Sequence, residues 1–202
     1  ILTDIEVMPK GLLFWRSMTQ WIGGLGIIVL TVAIFPLLGI GGIELFVAEA
    51  PGPTSDKLHP RIRETAKRLW FLYVGLTLIL VALLYVGGMT LFDAINHSFT
   101  TLATGGFSTK NASIAAFPSA YIQYVLTIFM FLAGANYTFL YLAFKGKWRN
   151  VWKMDELRAY LYLVIIAILI IMFQIKDITD NDWERSFREA AFQVVSIITT
   201  TG

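Results

Sequence analysis

Two short stretches carry residue types that could do chemistry without an ionisable side chain. One is Ala103-Thr104-Gly105-Gly106-Phe107-Ser108 and the other is Thr199-Thr200-Thr201-Gly202. Neither holds a carboxylate, an imidazole or a thiol, so what they offer is backbone carbonyls and hydroxyls. Glycine lets the backbone take conformations that turn carbonyls toward a common axis. Rings of such carbonyls can replace the hydration shell of an ion.

Each stretch ends a short apolar segment, 89–102 in one case and 184–198 in the other. Neither reaches the ~20 residues that a spanning helix needs. Asp93, Asn96, His97, Thr100 and Thr101 interrupt the first. Taken alone, that segment fits equally well a re-entrant loop and an amphipathic surface helix followed by a Gly turn. At an offset of 96 residues, however, Asp93 meets Glu189, Ala94 meets Ala190, His97 meets Gln193 and Thr100 meets Ser196. Leu102 meets Ile198, Thr104 meets Thr200 and Gly106 meets Gly202. A surface helix has no reason to repeat with its Thr-Gly ending, so the repeat favours the re-entrant reading. Non-helical backbone at membrane depth is tolerated only where protein or a water-filled cavity surrounds it.

The elements that must position these loops are four long apolar runs, 12–38, 69–87, 119–145 and 157–174. Hydrophobic residues make up 56% of the chain and charged residues 15%. Ordinary soluble domains stand near ~45–50% and ~25%. The expected fold is an all-α polytopic membrane protein built of helix–re-entrant loop–helix units. Residues 1–60 would close a first unit, 61–150 form a second and 151–202 open a third. Starting at Ile1 and stopping at Gly202, the chain reads as an internal portion of a longer polypeptide. Within 12–38, Gly23, Gly24 and Gly26 thin one face for close helix approach. A dinucleotide fingerprint is a poor fit there, since no strand precedes Gly23 and the spacing is wrong.

The connections fix an orientation. Lys57, Arg61, Arg63, Lys67 and Arg68 follow the first run, and Lys145, Lys147, Arg149, Lys153 and Arg158 follow the third. The positive-inside rule places 39–68 and 145–156 in the cytoplasm, with Trp148 and Trp152 as interfacial anchors, and turns both short loops outward. Glu64 and Arg68 are spaced for an ion pair on a surface helix before the second run. The outer stretch from Asp177 to Glu184 is acidic, either a means of raising local cation concentration or simply a solvated loop. Net charge is +2 and suggests no nucleic-acid partner. With no Cys and only His59 and His97, thiolate sites and a histidine metal site are excluded.

Several motifs resemble the Trk-type potassium-uptake proteins, the TrkH/TrkG branch of the Trk/Ktr superfamily. They are Phe14-Trp15-Arg16-Ser17, the run Gln20-Trp21-Ile22-Gly23-Gly24-Leu25-Gly26-Ile27-Ile28, Ala48-Glu49-Ala50-Pro51-Gly52-Pro53-Thr54, Ala103 to Ser108, and Gln193 to Gly202. The resemblance implies four units in one polypeptide around a pseudo-fourfold potassium pathway in the bacterial inner membrane. It also implies membrane lipid around the chain, a homodimer, a cytosolic nucleotide-binding regulatory subunit, and no covalent cofactor. Potassium would be coordinated by the filter residues Ala103, Thr104, Gly105, Gly106, Thr199, Thr200, Thr201 and Gly202. Carbonyls of Ala103 to Gly105 and of Thr199 to Thr201 would touch the ion, and Gly106 and Gly202 would permit the turn. The Gly105-Gly106 pair leaves a one-residue ambiguity over which carbonyls point inward. His97 and Asn96 are expected behind the filter, Asn136 in an interhelical hydrogen bond, and Arg16 snorkelling to the outer interface.

Other function classes fit less well. A membrane enzyme needs clustered ionisable groups at depth, and the apolar runs contain almost none. An ammonium or neutral-solute channel would show paired pore histidines or Asn-Pro-Ala half-helices, and neither is present. A non-conducting structural or regulatory subunit is the alternative, but it leaves the repeated Thr-Gly loops without a purpose.

Overall fold

A computed structural model describes residues 4–24, 59–135, 140, 143, 146, 152 and 154–202, and only the backbone of 59–66. The connection 39–58, residues 25–38 of the first apolar run, Asn136 and the Glu64 side chain lie outside the described residues. The elements are α1 (Lys10–Gly24), α2 (His59–Val86), α3 (Leu91–Leu102), a 3-10 turn (Ser113–Ala116), α4 (Ala120–Gly134), α5 (Asp155–Ile175) and α6 (Trp183–Ile198). Among the described residues there is no strand.

Local chemistry sets the boundaries. Gly88, at φ +99°, ends α2 by letting the Met89 N–H reach back to the Leu84 carbonyl (3.2 Å) and its own N–H to Tyr85 (3.1 Å). This left-handed closure satisfies carbonyls that a helix end would otherwise orphan. Thr90 then caps α3, accepting from the Asp93 N–H. Asp182 caps α6, accepting from the N–H groups of Glu184 and Arg185. Two residues, Met89 and Thr90, separate the Gly turn from α3, so the short helix is hung directly from the long one.

α3 sits at the centre of one group and packs against α1, α2 and α4. α6 sits at the centre of another, between α4 and α5. α4 serves both: its Ile122, Leu126 and Phe129 join the core made by Tyr73, Leu76, Leu80 and Leu84 of α2, while its Met130 packs with Val164 and Val195. An aromatic stack locks α1 to its neighbours. The Trp21 ring lies 5.4 Å from Tyr73 and 5.1 Å from Phe99, and Trp21 Nε1 donates to Thr77 Oγ1 at 3.0 Å.

Two described segments are long and apolar enough to cross a bilayer, Lys67–Val86 and Asp155–Ile175. A core helix of a soluble protein would be mostly buried. Asp155–Ile175 instead buries only Val164 and exposes Leu163, Ile166, Leu169, Ile170 and Phe173, a surface that belongs against hydrocarbon or further protein.

Three local differences from the sequence reading have physical causes. The surface helix and the second apolar run are one continuous helix from His59 to Val86, since nothing in 59–86 breaks it. The 119–145 run is interrupted after Gly134: Ala135 turns extended at ψ 152° where Gly134 meets the Thr199 side chain, and Leu140 and Ala143 are helical again. Of Gly23 and Gly24, Gly24 is the packed one: a Cβ there would lie 2.6 Å from Ala103 Cα, whereas Gly23 has nothing within 4 Å, and Gly26 lies outside the described residues.

Leu80→Ala should lower stability by ~2–5 kcal/mol through the cavity it leaves between α2 and α3. Leu78→Ala, on the exposed face of the same helix, should shift it by no more than ~0.5 kcal/mol. Unfolding of the detergent-solubilised protein in denaturing detergent would measure the pair.

Candidate functional site

The two loops leave their helices by the same hydrogen bonds. In the first, the N–H of Ala103 reaches Phe99 O at 3.1 Å, Thr104 reaches Thr101 O at 3.1 Å, and Gly105 and Gly106 share Thr100 O at 2.8 and 3.4 Å. In the second, Thr199 reaches Val195 O at 2.9 Å, Thr200 reaches Ile197 O at 3.1 Å, and Thr201 and Gly202 share Ser196 O at 2.9 and 3.3 Å. Each bond of one turn has its counterpart 96 residues on. The dihedrals agree as well, with Ala103 at φ −81°, ψ −1° and Thr199 at φ −83°, ψ 0°.

The left-handed residue that closes each turn is a threonine, Thr104 at φ 50° and Thr200 at φ 58°. The sequence reading gave that task to glycine. Gly106 (φ 64°) and Gly202 (φ 87°) are left-handed too, but two residues later. A β-branched residue in this region is strained, at a cost of order 1–3 kcal/mol. The α2–α3 turn makes the same closure with Gly88, so strain at Thr104 and Thr200 is not a requirement of the turn. Strained backbone concentrates where function needs a fixed geometry. Nothing in residue type alone marked these two threonines; only their repeat at the same offset could have.

The loops meet each other. A Cβ built on Gly106 would lie 1.9 Å from the Thr201 carbonyl oxygen and 2.9 Å from that of Gly202. Glycine is required at 106 both for its φ and for this contact. A gap of about 20 Å³ opens beside it, bordered by Thr100, Phe107, Met130, Phe192 and Thr201. The structure thus brings Gly106 together with Thr201 and Gly202, and seats Thr199 on Gly134 of α4.

A buried polar network stands behind the first loop. His97 is enclosed, with Nδ1 2.8 Å from the Asp93 carbonyl and Nε2 3.0 Å from Ser108 Oγ. The carbonyl can only accept, so Nδ1 carries the proton of the neutral ring, and Nε2 accepts from the Ser108 hydroxyl. Ser108 Oγ in turn accepts from the Lys110 N–H at 3.0 Å. The Asp93 carboxylate accepts from Thr90 Oγ1 at 2.7 Å and Thr109 Oγ1 at 2.6 Å. Asn96 is fully enclosed and donates to Phe92 O at 2.7 Å. Both Asn96 and His97 therefore lie behind the turn, as expected.

Arg16 departs from expectation. Its Nη2 donates to the Ser108 carbonyl and its guanidinium lies 4.5 Å from the Phe107 ring centroid. A carbonyl and an aromatic face within reach hold it against the loop in place of the bilayer interface. Gln20, one turn further along α1, donates from Nε2 to the Gly105 carbonyl at 3.0 Å. Sequence reasoning missed Gln20; its i, i+4 spacing from Arg16 was the available signal. In the first turns of α6, Arg188 and then Tyr124 hydrogen-bond the Glu184 carboxylate and hold it below the usual range.

Gly106→Ala should destabilise the protein and abolish its native thermal transition, because backbone lies where the methyl group must go. Gly11→Ala, with nothing within 4 Å, should leave it unchanged or slightly more stable. Ser108→Ala should cost ~1–3 kcal/mol by leaving the buried His97 Nε2 without a donor. Thermal unfolding in detergent would measure all three.

The sequence profile described as "TrkH: Cation transport protein" matches residues 1–202. The "Trk system potassium uptake protein TrkH" of Vibrio parahaemolyticus is 42% identical over 207 residues, covering 100% of this chain and 43% of that protein. The "Trk system potassium uptake protein TrkG" of Escherichia coli is 38% identical over 204 residues, with 100% and 42% covered. The crystal structure of the potassium transporter TrkH from Vibrio parahaemolyticus superposes with a TM-score of 0.76 at 39% identity, covering 98% of this chain and 40% of that one. The chain thus spans about two fifths of the length of the relatives it matches. From the profile match and these identities, the chain belongs to the TrkH family of cation transport proteins.

Proposed function

We propose that this chain supplies two of the loops of a potassium-selective filter in the inner membrane of a bacterium. The observation that carries the proposal is the meeting of two turns of one shape, Gly106 against Thr201, at the ends of two helices that cannot span. The named relatives are potassium uptake proteins, which supports potassium as the ion. Carbonyls of Ala103, Thr104 and Gly105, and of Thr199, Thr200 and Thr201, coordinate a dehydrated potassium ion. The Gly105 carbonyl does so with the lone pair that Gln20 leaves free. The C-terminal ends of α3 and α6 both face the loops, and each adds roughly half a negative charge favouring a cation there.

The remaining loops of a pseudo-fourfold ring come from further units of the same polypeptide. Residues 39–68 and 145–156 face the cytoplasm, where a nucleotide-binding regulatory subunit docks on a dimer of the full-length protein. The exposed apolar face of α5 takes lipid.

Cation uptake by liposomes containing the full-length protein tests this, with potassium, rubidium, sodium and lithium compared, with and without nucleotide and the cytosolic partner. Potassium and rubidium should be favoured over sodium and lithium. Equal uptake of all four would remove the filter, and no uptake under any gradient would favour a non-conducting membrane subunit.

A further inference from the structure

We infer that Gln20 is a positioning residue that sets the first loop's carbonyls from outside, doing through α1 what the second loop does with its own side chains. This rests on the potassium-filter reading.

Both loops lean on a neighbouring helix through a glycine. Gly24 of α1 presses on Ala103, and Gly134 of α4 presses on Thr199, where Cβ atoms would come within 2.6 and 2.4 Å of the opposing residue. Ala103 and Thr199 hold the same place in the two turns, so Gly24 and Gly134 put α1 and α4 in register. Four and eight residues before Gly24 stand Gln20 and Arg16, which donate to the carbonyls of Gly105 and Ser108. Four and eight residues before Gly134 stand Met130 and Leu126, both buried, which can donate nothing. α1 thus runs antiparallel along the first loop with a contact at every turn: Gly24 at Ala103, Gln20 at Gly105, Arg16 at Ser108. The eight residues rise ~12 Å. Five extended loop residues could reach ~17 Å, and the left-handed residues shorten that path to fit.

The loop residues make the complementary exchange. The second loop carries hydroxyls where the first has Ala103 and Gly105. Thr199 Oγ1 donates to Val195 O at 2.8 Å and therefore accepts from Thr201 Oγ1, 2.7 Å away. That loop is tied to its own helix. The first loop has no hydroxyl at 103 or 105 to do the same; its side-chain ties to α3 begin at Phe107, whose carbonyl accepts from Thr100 Oγ1 at 2.9 Å. The space is used instead by Gln20, whose amide carbon would lie 2.4 Å from a Cβ on Gly105. Gln20 Oε1 and Arg16 Nε are buried without partners, so the bond from Gln20 Nε2 to the Gly105 carbonyl is the one hydrogen bond its amide makes.

The exchange can be reversed. In Gln20→Met, α1 resembles α4, and the Gly105 carbonyl loses its donor. Adding Gly105→Thr and Ala103→Thr to Gln20→Met rebuilds the arrangement of the second loop. The backbone at 103 already matches that at 199, and no left-handed φ stands at 105. Two readouts on the full-length protein in liposomes separate the ideas: amide hydrogen exchange across residues 104–108, and potassium-over-sodium uptake. Gln20→Met should speed exchange in that segment alone and lower the uptake ratio by about three- to tenfold, the range one ordinary hydrogen bond supplies. The triple variant should recover at least half of both effects. Unchanged exchange in Gln20→Met, or a triple variant no better than the single, would overturn the inference. A parent protein showing no cation preference would sink the filter reading instead, while the exchange data would still decide whether Gln20 holds the loop.

Discussion

The structure depends on a backbone that reverses hand at a β-branched residue. Thr104 and Thr200 close their helices in the left-handed region, where the same chain elsewhere uses Gly88. A strained residue persists only when its surroundings over-determine it. Most of the architecture supplies that determination. α3 and α6 present the Thr100 and Ser196 carbonyls that capture two amides each, and α1 and α4 close the space behind with Gly24 and Gly134. Gly106 and Thr201 then press the two loops into contact.

Behind the first loop the restraint is polar. α3 is apolar on the side facing α2, but it buries Asp93, Asn96, His97, Ser98, Thr100 and Thr101. Burying so many polar groups costs free energy unless each finds a partner. Here most of the bonds are local: Ser98 to Ala94 O, Asn96 to Phe92 O, Thr100 to Asn96 O. Those that leave the helix join His97 to Ser108, Asp93 to Thr109 and Thr100 to the Phe107 carbonyl, all on the segment that returns from the loop. Asn96 Oδ1 is left without a partner, but the remaining bonds tie the returning end of the loop to the same short helix. The second short helix has a different brace, at its N-terminal end. There Arg188 joins Glu184 to Gln123, so α6 is pinned to α4 by side chains near the surface.

Much of this was legible in the sequence because it follows from length and spacing. A 14-residue apolar segment cannot span, so 89–102 had to be something else, and α3 occupies most of it. The offset of 96 aligned the two turns bond for bond. Motifs in Phe14 to Gly26 and around both loops pointed to the family that the comparisons show. What stayed hidden was tertiary. A propensity argument gives left-handed turns to glycine, and it cannot see that the strain at Thr104 is carried by neighbours. Arg16 near an apolar run looks like a snorkelling side chain until the Ser108 carbonyl is placed beside it. Gln20 carries no charge and stands out only once Gly105 is seen to lack a side chain where Gln20 lies. The end of α4 at Gly134 was foreshadowed by the glycine itself, but the cause, contact with Thr199, lies 65 residues away.

The pairing of Ala103 with Thr199 has an evolutionary side. Where a ring is assembled from identical subunits, every substitution enters at all positions together, and only changes tolerable everywhere survive. Here two turns with one hydrogen-bond skeleton are encoded by separate codons, and they differ in how their side chains are anchored. A substitution in one loop therefore leaves the other untouched, and the helix that must accommodate it is the one packed behind that loop.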